Sequence, residues 1–91
     1  QGTFFKGILN AKNSIRIEGT FDGEIKCEDE VFIGEGAIIK ANIFAKKVIV
    51  AGEVTGHIEA INGLEITSTG KVFGNIVGDR LIINEGAVFK G

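Results

Sequence analysis

One phrase returns about every 17 positions along this chain, and that return constrains the fold more than any other feature of the sequence. Its clearest copy is Val54-Thr55-Gly56-His57-Ile58-Glu59-Ala60, in which Val54, Gly56, Ile58 and Ala60 alternate with the polar Thr55, His57 and Glu59. Period-two alternation describes a strand with one buried face. The buried face has an unusual order of sizes: large, glycine, large, alanine. The order recurs from Phe5, Phe21, Ile39 and Val72, and a sixth copy begins at Phe89, so five copies are complete. The starts are spaced by 16, 18, 15, 18 and 17 residues, with the variation in the turns, where loops tolerate it.

After each complete copy a short turn leads to a second strand. These are Ile15-Arg16-Ile17, Val31-Phe32-Ile33, Val48-Ile49-Val50, Leu64-Glu65-Ile66 and Leu81-Ile82-Ile83. A turn carrying Gly19, Gly36, Gly52, Gly70 or Gly86 closes the unit. Aligned on the repeat, the inward positions form six uncharged columns. The first runs Phe5, Phe21, Ile39, Val54, Val72, Phe89, and the second Gly7, Gly23, Ala41, Gly56, Gly74, Gly91. The others hold Leu9 with four isoleucines, Ala11 with Cys27, Ala45, Ala60 and Gly78, and the two inward positions of the second strand. A sandwich does not require like to sit on like at a fixed period. A coil of parallel strands does, because equivalent side chains then stack ~4.8 Å apart. The expectation is an all-β, single-domain parallel β-helix (a solenoid) of about six coils of ~17 residues, a rod of roughly 25–30 Å. The tiny columns are expected to let the wall bend or to make room for large residues opposite. Stacking columns are the same in either hand, so they leave handedness open.

Outward positions show matching charge. Asp29-Glu30 is followed one coil later by Lys46-Lys47, and Lys6, Asp22 and Lys40 alternate in sign. Exposed pairs stabilise by only ~0–1 kcal/mol each. Their expected use is to oppose a one-coil slip, which would bring like charges together.

Composition excludes several function classes. A chain of 91 residues, 44% hydrophobic with a formal charge of -2, is one domain, too apolar for disorder and not basic enough for nucleic acid. Apolar runs are too short to cross a bilayer, and no signal-peptide pattern is present. The single cysteine rules out an internal disulfide and fits a reducing compartment. No methionine occurs and the first residue is Gln1, which points to a fragment of a longer chain with its tails not in view.

Chemistry-bearing motifs are absent. His57, the one histidine, points outward beside Thr55 and Glu59 and lacks further metal ligands. It also lacks a nucleophile or an orienting partner, so a surface histidine is the better reading. Cys27 stands in an alanine column and reads as a small buried residue. Gly34-Glu35-Gly36 leads into a strand and not a helix, so it cannot hold a phosphate as a glycine-rich loop does. Thr67-Ser68-Thr69 is ordinary turn chemistry. No catalytic residue, metal ligand or cofactor is assigned.

What remains are surfaces. A β-helix has two open ends with unpaired backbone and exposed columns, which solenoids usually cap. No cap is visible beside Phe4, Phe5 and Leu9, or beside Leu81, Ile83, Val88 and Phe89, so these seven are the expected polymer interface, by end-to-end stacking. Phe32, Ile49 and Ile82 on the second strand, with Phe44, Phe73 and Val77 on the first, point outward and are a candidate lateral face.

The repeated G-x-V-x-G-x-I phrase resembles the bactofilin family of bacterial polymer-forming cytoskeletal proteins. It stands here as Gly52-Glu53-Val54-Thr55-Gly56-His57-Ile58 and Gly70-Lys71-Val72-Phe73-Gly74-Asn75-Ile76, with Gly19-Thr20-Phe21-Asp22-Gly23-Glu24-Ile25 a variant. The resemblance covers essentially all 91 residues, and Ala41 departs where glycine is usual. It implies a right-handed β-helix over residues 1–91 that polymerises without nucleotide. Family filaments are non-polar and joined like end to like end. Such a subunit scaffolds other proteins in the cytoplasm, at the inner face of the cell membrane in some members. Its expected partners are itself and cell-envelope or membrane-associated proteins, with membrane contact only through tails. Two other readings stand beside this one. A β-helical module for cell-envelope components is motivated by Phe32, Phe44 and Phe73, and binding that survives without polymerisation would mark it. A hexapeptide-type acyltransferase would need a strict six-residue period, which spacings of 15 to 18 do not supply, and acyl-CoA turnover would mark it.

Overall fold

β-branched and aromatic residues in alternation favour extended chain. The computed structural model accordingly has nine strands and no helix among its described residues, which are 4–91, with side chains described from Lys6 onward. In chain order they are β1 (Phe4–Ala11), β2 (Ile15–Ile17), β3 (Thr20–Cys27), β4 (Glu30–Ile33), β5 (Ile38–Val50), β6 (Glu53–Ile66), β7 (Lys71–Gly78), β8 (Leu81–Ile83) and β9 (Val88–Lys90). All pairings are parallel. The first strands stack in the order β1-β3-β5-β6-β7-β9, while β2 pairs with β4, β4 with β5, and β8 with β6. This is a β-solenoid, and its register joins the residues that the repeat aligns: Phe21 to Ile39, Ile39 to Val54, Val54 to Val72, Val72 to Phe89. The body measures 29 × 25 × 20 Å, about as broad as it is long.

The columns are the core. Ile25, Ile43 and Ile58 stand in one stack and Ile33, Val50 and Ile66 in another, all without solvent exposure. Each such side chain contributes about 1.5–3 kcal/mol by its removal from water. No polar or charged residue is buried among the described residues.

Two local features differ from the expectation. β5 and β6 run unbroken through a corner where a turn was expected, for 13 and 14 residues. The register shifts there between Ala45 and Lys47, so that β6 carries one extra residue, a bulge that bends the wall without ending the strand. The glycine column also has a different cause. Gly74 has φ 134°, and a Cβ on it would run into the Gly56 carbonyl of the coil below. Backbone proximity thus excludes a side chain at Gly74, a constraint that alternation alone does not reveal.

The outward charges align as the sequence predicts, Lys6 with Asp22, Asp22 with Lys40, and Glu30 with Lys47. The ion pair within 4 Å among the described residues is elsewhere, at Arg16–Glu18, and His57 stands 3.5 Å from Glu59, a contact that is ionic only with a protonated imidazole. The alternating charges are thus aligned in register without closing salt bridges within the chain.

Candidate assembly surface

A coil in mid-stack is sealed by the coils on either side, whereas the last coil described is covered on one side. Leu81 stacks on Leu64, Ile83 on Ile66 and Phe89 on Val72. The inner members are 2%, 0% and 0% exposed, whereas Leu81, Ile83 and Phe89 are 46%, 47% and 37% exposed. Ile76, which continues the isoleucine column of Ile58, is half-buried beside them. Among the described residues, Leu81, Ile83 and Phe89 thus form an apolar step at the C-terminal side of the columns. Val88 pairs with Lys71 in an outward column and is half-buried, so it borders this step. At the other end Leu9 is half-buried against the core. The side chains of Phe4 and Phe5 lie outside the described residues.

The six candidates for a lateral face fall in three outward columns. Phe32, Ile49 and Ile82 share one with Arg16 and Glu65. Phe44 and Val77 share the second with Lys26 and Glu59, and Phe73 stands in the third with Thr55 and Lys90. Val77 and Ile82 are exposed and the other four half-buried. Sequence reading passed over Ile61, 69% exposed at the β6 bulge, because the corner was taken as a turn. It also passed over the buried Ala37 and Ala51, which line the corner after the second strand. The signal for these was an alanine beside the turn glycine, as in Gly36-Ala37 and Ala51-Gly52.

The tempting polar residues have structural roles. The Cys27 thiol is buried and donates to the Asn13 carbonyl at 3.3 Å. The His57 ring lies 6.1 Å from that of Phe44, with Nε2 3.5 Å from Glu59 Oε1. No group of three metal-binding side chains comes together among the described residues. A groove of about 720 Å³ runs over Ala11, Cys27 and Ala45, with lysines and glutamates mixed on its rim.

Comparison with known proteins gives a consistent result. The family model described as "Bactofilin: Polymer-forming cytoskeletal" matches residues 1–91. The bactofilin BacP of Myxococcus xanthus (strain DK1622) is 33% identical over 85 residues, which cover 93% of this chain and 35% of that protein. The bactofilin BacO of the same strain is 32% identical over 85 residues, covering 93% of this chain and 68% of that protein. This chain thus spans about a third of BacP and about two thirds of BacO. No solved structure matches.

Proposed function

Because the chain belongs to the bactofilin family of polymer-forming cytoskeletal proteins, we propose that it is a filament subunit whose terminal coils stack end to end. The supporting observation is the apolar step at Leu81, Ile83 and Phe89, three side chains of the kinds that are sealed one coil earlier. A second copy placed there would extend the columns and bury them, at about 25 cal/mol for each Å² removed from water. Such a joint is apolar and needs no bound nucleotide to form. The outward columns remain free along the filament, which is the property a scaffold for other proteins requires. Attachment at the inner face of the cell membrane belongs to this proposal too, through segments outside the solenoid. No helix among the described residues is long and apolar enough to cross a membrane.

Electron microscopy of the purified chain in nucleotide-free buffer tests the reading. Thin filaments whose abundance rises with protein concentration are the expected result. Particles that stay single at all concentrations would overturn it.

A further inference from the structure

Over its first four coils the outward column of the second strand reads Arg16, Phe32, Ile49, Glu65; Ile82 follows in the fifth coil and overhangs the four-coil strip. We propose that this face pairs laterally with the same face of a second copy running antiparallel. The two-fold axis lies along the strand direction, between the coils of Phe32 and Ile49. That operation keeps each column opposite itself and reverses its order. Phe32 then meets Ile49 of the other copy, and Arg16 meets Glu65, each contact occurring twice as a two-fold requires.

The neighbouring column obeys the same operation. Glu30 and Lys47 occupy the same two coils as Phe32 and Ile49 and are register partners within the chain, with no ion pair between them inside 4 Å. Reversal sets Glu30 against Lys47 of the other copy. A parallel pairing about the rod axis instead sets Arg16 on Arg16 and Glu65 on Glu65, like on like. Phe32 and Ile49 are half-buried, so the centre of the strip is an apolar pair between charges of opposite sign. Within one chain the Arg16 guanidinium reaches Glu18 at 2.6 Å and lies 4.9 Å from the Phe32 ring, while Asn84 donates to Glu65 at 3.1 Å. These exposed or half-exposed contacts are loose enough to be shared or exchanged on pairing.

The size of the strip says when pairing occurs. Three residues by four coils give a footprint of roughly 200 Å². A stable pair of proteins buries about 800 Å² on each partner. A single subunit therefore does not dimerise this way, and the strip acts when a polymer repeats it many times. The inference rests on the filament reading for that reason.

The test is the width of filaments under the microscope at low salt, for wild type, Arg16→Glu and Arg16→Glu combined with Glu65→Arg. Residues 16 and 65 lie three coils apart, roughly 14 Å, so the swap restores no neighbour contact within one chain. Paired filaments are expected for wild type, single filaments for Arg16→Glu, and recovery of pairs in the double variant. Higher salt should also separate wild-type pairs. Circular dichroism checks that Arg16→Glu folds, and Glu65→Arg, which sets arginine against arginine, replaces it if it does not. Pairs that persist in the single variant, a double variant that stays unpaired, or a wild type seen only as single filaments would each overturn the inference and leave the filament reading intact. A wild type with no filaments of any width overturns both.

Discussion

Ile83 stands directly on Ile66 in the parallel ladder, yet Ile66 is fully enclosed and Ile83 is 47% exposed. The two have the same side chain in the same column. The difference lies in their neighbours: Ile66 is covered by Ile83, and no described residue continues the column beyond Ile83.

Phe89→Arg should abolish assembly while leaving the solenoid folded. Phe89 is 37% exposed in the single chain, so arginine there keeps access to water. In a stacked joint the same charge is enclosed without a partner, at about 3–5 kcal/mol per contact. Sedimentation velocity should show a shift from polymer to single subunits, with an unchanged circular dichroism spectrum. Polymers of wild-type length in this variant would move the joint elsewhere.

The depth of the core sets a second expectation. Ile58→Ala removes a side chain with no exposure and should lower stability by about 2–5 kcal/mol. Ile83→Ala removes one already half in water, so in the unassembled state it should lower stability by less than about 1 kcal/mol. Urea unfolding of both, in a Phe89→Arg background that keeps subunits apart, measures the difference. Equal losses would show that the last coil is packed as tightly as the middle.

Gly74→Ala should be costly where most glycine-to-alanine changes are mild. The site combines φ 134° with the Gly56 carbonyl in the path of a Cβ. Strain of that kind costs about 1–3 kcal/mol. Ala41 occupies the same column without a positive φ, since no residue other than glycine has one among the described residues. Ala41→Gly therefore relieves nothing and should lose about 0.5–1 kcal/mol in backbone entropy. Thermal melts of the two variants test the contrast, and a stabilised Ala41→Gly would contradict it.

Most of the solenoid was legible because stacking turns sequence period directly into spatial contact. Val54 and Val72 are 18 residues apart and in register. The size order therefore gave both the strands and their partners. What stayed hidden was backbone behaviour. Alternation marks Gly74 as inward but says nothing of φ or of a carbonyl beneath it. The bulge at Ala45 to Lys47 leaves no trace beyond an uneven spacing, so Ile61 passed as part of a turn. The surfaces were legible only in part. Exposure of Leu81 and Ile83 follows from their place in the last coil, whereas the order Arg16, Phe32, Ile49, Glu65 means something only once the coils are stacked.

Ala41 also has a consequence for its neighbours. Between β5 and β6 the register pairs Lys40 with Thr55 and resumes at Ile43 with Ile58, so Ala41 and Asn42 fall in a gap in the ladder. The Asn42 side chain fills part of the gap, its Oδ1 accepting from the His57 N–H at 3.3 Å. A side chain thus does there what a carbonyl does elsewhere in the stack. Asn42→Ala should remove about 0.5–1.5 kcal/mol, the net worth of one such bond. The sharper readout is local. Amide hydrogen exchange at His57 should accelerate, while the Ile58 amide, next along a strand whose pairing has resumed, keeps its protection. Aspartate in place of Asn42 retains an acceptor oxygen and should restore slow exchange at His57. If exchange at His57 were as slow in Asn42→Ala as in wild type, the side chain would have no part in closing the gap.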